Sequence, residues 1–66
     1  MTLHEAIEKG LETLSPLHKA VLVLYDIEGL NHKEIAEKLH SNPGTIRSRL
    51  YYARKHMQQF LQKYLE

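Results

Sequence analysis

The chain has 66 residues, a formal net charge of +1 and 42% hydrophobic residues. A chain of that size makes one small domain, buries only ~60% of its unfolded surface and leaves no room for an active-site cleft between lobes. It contains no cysteine, which excludes disulfides and thiolate metal sites and is compatible with a reducing cytoplasm. No apolar run approaches the ~20 residues of a membrane span, and no charged-then-apolar signal segment opens the chain. Met1 directly before a helix start fits a natural start or a cut from a longer protein, and Leu65-Glu66 fits a cloning remnant.

Thr2 and Glu5 have the spacing of a capping box, in which hydroxyl and carboxylate satisfy backbone N–H groups reciprocally. Leu3, Ile7, Leu11 and Leu14 then step by four, four and three, and are read as the apolar edge of a first helix. Gly10 weakens that helix by ~1 kcal/mol relative to alanine. Ser15 and Pro16 open the next helix as cap and first helical residue. This second helix is apolar on nearly every side (Leu17, Ala20, Val21, Leu22, Val23, Leu24, Tyr25, Ile27), so it is central or meets a partner. Gly29 stops it in a left-handed conformation.

Asn31 and Glu34 form a second capping box, opening a short helix whose stripe is Ile35, Ala36 and Leu39. A turn, His40-Ser41-Asn42, follows. Asn42 caps the last helix and Pro43 takes its first position. Ile46, Leu50, Ala53, Met57, Phe60 and Tyr64 repeat at steps of three and four along it. At ~100° per residue, Gly44, Ser48, Tyr51 and Lys55 cluster on the opposite side, flanked by Arg47 and Tyr52. The expected fold is all-α, with four helices at about 2–14, 16–28, 32–39 and 43–63 and a helix-turn-helix over 32–55.

A helix that packs along one edge and presents Arg, Ser, Tyr, Tyr and Lys along the other suits the major groove of DNA. Charge distribution agrees. Lys9 and Lys19 against Glu5, Glu8, Glu12, Asp26 and Glu28 leave residues 1–30 at −3. Lys33, Lys38, Arg47, Arg49, Arg54, Lys55 and Lys63 against Glu34, Glu37 and Glu66 leave residues 31–66 at +4. The basic half coincides with the helix-turn-helix and the acidic half with the apolar helix, which places a polyanion on one side only.

Residues Leu24 to Leu39, with Gly29 and the Glu34-Ile35-Ala36 core, and the run Asn42-Pro43-Gly44-Thr45-Ile46-Arg47-Ser48-Arg49-Leu50 to Lys55 resemble region four of bacterial sigma factors, closest to the extracytoplasmic-function group. The similarity covers about fifty residues, from Leu14 to the end of the last helix. It implies recognition of the minus-35 promoter element within RNA polymerase holoenzyme, contact with the flap of the polymerase β subunit, and masking by an anti-sigma factor. The chain has His40 where the family usually has glycine, so a positive φ is expected on a non-glycine residue. It has Tyr52 where several members carry arginine on the DNA face, which alters the base preference to expect. No counterpart of region two is present, so on this reading the domain does not initiate transcription alone.

The residues expected at base edges are Arg47, Ser48, Tyr51 and Tyr52: arginine grips guanine bidentately, serine donates or accepts, and a tyrosine ring packs on a thymine methyl. Lys33, Thr45, Arg54 and Lys55 are expected at phosphates, which position without specifying. Arg49, near the core edge, is expected to pair with a carboxylate such as Glu34 or to meet a phosphate. Asn31, His40, Asn42, Pro43 and Gly44 shape the caps and the turn. Val23 and Tyr25 are expected to face a protein partner.

The five histidines fall on different elements without the spacing of a helical zinc pair, so no metal is expected. No catalytic constellation and no phosphate-binding glycine loop is present, so neither enzyme activity nor a cofactor is expected. The expectation is a monomeric, cytoplasmic module that binds double-stranded promoter DNA and polymerase. Two rival readings remain. One is a response-regulator-type helix-turn-helix, which acts as a dimer on palindromic sites. The other is a protein-interaction module whose main partner is an anti-sigma factor or the polymerase flap.

Overall fold

A computed structural model describes residues 1–65 of the chain; Glu66 and the Leu65 side chain, both in the pair read as a cloning remnant, lie outside the described residues. Four α-helices follow in order: α1 (Leu3–Glu12), α2 (Pro16–Leu22), α3 (His32–Lys38) and α4 (Pro43–Leu65). There is no strand among the described residues.

Local chemistry sets each boundary. The Glu5 N–H donates to Thr2 Oγ1 at 3.1 Å and the Thr2 N–H to Glu5 Oε1 at 3.2 Å, closing the first capping box. Thr2 is thus the cap of α1 and not its first residue. Ser15 accepts from the His18 N–H at 3.4 Å, with Pro16 next in line. The second capping box is closed by Glu34 N–H to Asn31 Oδ1 at 2.8 Å and Asn31 N–H to Glu34 Oε1 at 3.0 Å. Asn42 Oδ1 receives the Thr45 N–H at 2.9 Å and so starts α4.

The second helix departs from its expected form. After Leu22 it widens into a π-helical turn, Val23–Ile27, in which the Glu28 N–H reaches Val23 O at 3.0 Å, five residues back. The inserted residue shifts the phase of everything after it. Leu24 stays buried, Tyr25 is half-buried, and Asp26 lies beside α4. Gly29 closes the segment at φ 76°, and the Leu30 N–H bonds back to Leu24 O at 3.0 Å.

α3 ends with the positive φ expected at residue 40. His40 has φ 55°, its N–H reaches Glu37 O, and the Ser41 N–H reaches Ala36 O at 2.8 Å. These two bonds are the Schellman closure, built on histidine in place of glycine.

The core is formed by Val21, Leu22 and Leu24, by Ile35 and Ala36, and by Ile46, Leu50, Ala53 and Met57. α4 is the spine: it packs against all three other helices, and its 23 residues, ~35 Å at helical rise, account for the 37 Å long axis of the molecule.

α1 corrects one expectation. Its buried residues are Ala6 and Gly10, whereas Leu3 and Ile7 of the expected apolar edge are 56% and 37% exposed. A Cβ at Gly10 would meet Met57 Cε at 2.7 Å and Phe60 Cδ1 at 2.9 Å, so α1 crosses α4 on its two smallest side chains. Leu11 and Leu14 still pack against the core from its edge.

Candidate nucleic-acid interface

The first turns of α4 stand clear of the core. Ile46 and Leu50 pin the helix from below, fully and almost fully buried, which leaves Pro43, Gly44, Arg47, Ser48, Tyr51 and Tyr52 exposed on the outer surface. The four side chains expected at base edges are therefore brought together. Tyr51 and Tyr52 are each 60% exposed, with rings edge to face at a centroid distance of 5.2 Å. Lys33, on the first turn of α3, is exposed, as is Lys55; Thr45 is half-buried beside its cap.

Arg54 has a different environment from the one expected of a phosphate ligand. Its guanidinium holds the Asp26 carboxylate with two donors, Nε–H to Oδ2 at 3.3 Å and a second bond from Nη2 to Oδ1. Those hydrogen bonds raise the Arg54 pKa above its ordinary value. The same guanidinium lies 5.0 Å from the Tyr25 ring centroid, and that ring stacks on His32 at 5.1 Å. The cluster ties α4 to the end of the π-turn and the start of α3. It also occupies Tyr25, which was expected to face a partner.

Arg47, Tyr51, Arg54 and Lys55 line one side of a concave strip whose far wall is Tyr25 and His32. The strip is cationic and continuous with the exposed face of α4. His32 Nε2, beneath it, is buried without a hydrogen-bond partner among the described residues. Arg49 is half-buried, and the Arg49–Glu34 pair is absent: among the described residues Arg54 pairs with Asp26, and His4 Nε2 lies 3.2 Å from Glu8 Oε1.

On the acidic half, Val23 and Tyr25 are half-buried, and the exposed apolar side chains are Leu3, Ile7, Leu17 and Ile27. Ile7, Leu11, Leu22, Ile27, Met57 and Leu61 line a shallow apolar groove of about 310 Å³ between α1, the π-turn and the distal part of α4. Leu3 and Ile7 appeared in the sequence only as core candidates. No group of three or more potential metal ligands is assembled among the described residues, and no helix there is long and apolar enough to cross a membrane.

The family model for sigma-70 region 4 matches residues 4–57. A curated relative, the ECF RNA polymerase sigma factor SigE of Mycolicibacterium smegmatis, is 38% identical over 58 residues, which is 88% of this chain. The chain spans 23% of that relative's length. No solved structure gives a significant match. The helix-turn-helix geometry, the exposed basic face of α4 and these two matches agree, and the chain belongs to the sigma-70 region 4 family of transcription-factor domains.

Proposed function

We propose that this domain recognises the minus-35 element of a promoter as the region 4 module of an extracytoplasmic-function-type sigma factor, acting in the cytoplasm as a monomer within polymerase holoenzyme. The observation that carries the reading is the outer face of α4, where Arg47, Ser48, Tyr51 and Tyr52 stand exposed together while Ile46 and Leu50 anchor the helix beneath them. A helix ~10–12 Å across with such a face fits a major groove of about 12 Å. Arg47 is the main specifying residue; Lys33, Thr45 and Lys55 meet phosphates on either side. Arg54 joins them only by exchanging the Asp26 carboxylate for a phosphate.

The apolar groove bordered by Ile7 and Ile27 is the surface offered to protein, the polymerase β flap or an anti-sigma factor, and it meets the cationic strip at Arg54 and Gln58. Enrichment of duplexes from a random library by the purified chain, alone and in reconstituted holoenzyme, tests the proposal. A single asymmetric motif is the expected result. A palindromic motif would favour a dimeric regulator, and absence of any enrichment in both settings would overturn the reading.

A further inference from the structure

The face of α4 assigned to bases is bordered by two clefts. At ~100° per residue, Arg47, Arg54 and Gln58 of the cationic strip lie roughly 60° to one side of the Gly44–Ser48–Tyr51–Lys55 direction, and Tyr52 and His56 roughly 90° to the other. The second cleft, about 260 Å³, runs between α4 and the corner joining α1 to α2, and its lining is Thr13, Leu14, Ser15, His18, Tyr52 and His56. A helix seated in a major groove has a phosphate backbone along each flank. One flank of α4 carries arginine and lysine, charged at every physiological pH; the other carries histidine.

Hydrogen bonding holds both imidazoles in place. The Thr13 hydroxyl gives its one proton to Gly10 O at 2.6 Å, so at its 2.6 Å contact with His56 it must accept, and His56 donates from Nε2. His18 Nδ1 lies 2.6 Å from Ser15 Oγ. The second ring nitrogens, His56 Nδ1 and His18 Nε2, have no hydrogen-bond partner among the described residues. Protonation turns His56 Nδ1 into a donor, leaves His18 a donor at both ring nitrogens and adds a charge to each ring. The titratable groups facing the cleft are His18 from α2 and Tyr52 and His56 from α4. α1 and the corner contribute only Thr13, Leu14 and Ser15, and no Asp, Glu, Lys or Arg lines it. Two imidazolium charges there have no internal carboxylate to meet, so an anion from outside is their complement.

We propose that this cleft is a second, pH-gated phosphate site, in which His18 and His56, when protonated, bind the DNA backbone on the Tyr52 flank of α4. The inference rests on the reading of α4 as a groove-binding helix and adds a condition to it: Arg47 and Lys55 hold at any pH, whereas the histidine flank grips only when its imidazoles are protonated.

Fluorescence anisotropy of the 66-residue chain with a random-sequence duplex, at about pH 7.5 and about pH 5.5, should show affinity rising about tenfold on acidification and the salt slope steepening by roughly 1–2. The His18→Gln/His56→Gln variant should lose most of both changes. Glutamine keeps a donor for Thr13; as a readout that does not depend on the variant folding, imidazole resonances of the unaltered chain should move to higher titration midpoints for both residues when duplex is added. Binding that does not change with pH, a double variant that keeps the pH dependence, or midpoints that duplex does not move would each overturn this proposal alone. Midpoints moved by millimolar inorganic phosphate but not by duplex would reassign the cleft to a free anion and also overturn it. No duplex binding at any pH, by the isolated chain and in reconstituted holoenzyme alike, would overturn it together with the parent reading.

Discussion

Arg54 and Asp26 are 28 residues apart in sequence and joined by two hydrogen bonds in the fold, across the seam between α4 and the π-turn. The side chains are 50% and 38% exposed, so screening leaves the pair worth under ~1 kcal/mol. On the proposed reading its greater consequence is for DNA: Asp26 occupies the donors that a phosphate would take. Asp26→Ala should therefore lower thermal stability only slightly while raising affinity for random-sequence duplex and steepening the salt slope by about 1. A fall in duplex affinity would mean that Asp26 aims Arg54 at the backbone and does not compete with it. Since Arg54's pKa is raised, the pair's stability persists below the usual arginine value and is lost only at more alkaline pH.

Gly10 offers a stability test in which helix propensity and packing oppose each other. In an exposed helix interior, Gly→Ala gains ~1 kcal/mol. Here the new methyl would come within 2.9 Å of both Met57 Sδ and Phe60 Cδ1. The Met57 terminus can swing aside, but the half-buried Phe60 ring has less freedom, and α1 is held to α4 at this crossing. Gly10→Ala should forgo the gain and lose up to ~1 kcal/mol to overpacking. A melting temperature raised by several degrees would show that α1 docks loosely enough to step back.

His40→Gly should stabilise the domain. His40 sits at φ 55° in the Schellman closure of α3, and its side chain is exposed, so glycine removes the Cβ penalty without deleting a buried contact. A gain of ~0.5–1 kcal/mol is expected, a rise in melting temperature of roughly 2–8 °C for a domain this small. An unchanged midpoint would show that the added freedom of the unfolded chain cancels the relief.

Glu5 carries the acid sensitivity of α1. Its pKa is lowered, first by the Thr2 backbone N–H and then by the Thr2 hydroxyl. A carboxyl depressed in the folded state contributes stability that is fully present above its unfolded pKa and is lost as pH falls through the folded value. Helicity of α1 should therefore fray below the usual glutamate range, and Glu5→Gln should make that fraying independent of pH. Circular dichroism of both chains through an acid titration decides it. Coincident curves would show that the box does not hold α1.

What the sequence disclosed was local. Thr2, Ser15, Asn31 and Asn42 each act on N–H groups three residues away, and the turn at His40 closes within its own helix end, so all were readable in the chain. The outer face of α4 was readable because its core stripe is strictly periodic. The π-turn was not. A helix apolar on all sides has no stripe whose phase could report an inserted residue. Gly10 looked like a weak point because its reason for being small lies on Met57 and Phe60, far along the chain. The stacking of Tyr25 on His32 beside Arg54 was not readable either, because nothing local announces those neighbours.

On the proposed reading, Arg47 and Lys55 divide recognition between them. Both are exposed on α4, but Arg47 lies one turn in from the Asn42 cap, where recognition helices approach base edges, and Lys55 lies two turns further on, where the groove wall is phosphate. Arg47→Ala should cost ~1–3 kcal/mol on the preferred promoter and little on scrambled duplex. Lys55→Ala should weaken every duplex alike and reduce the salt slope by about 1. Titration of both variants against both duplexes at several salt concentrations separates the two roles, in holoenzyme if the isolated chain binds too weakly to follow. Equal losses for Arg47→Ala on both duplexes would make Arg47 a phosphate ligand. Specificity would then pass to Ser48 and to the exposed rings of Tyr51 and Tyr52, whose edge-to-face contact presents apolar surface that thymine methyl groups can cover.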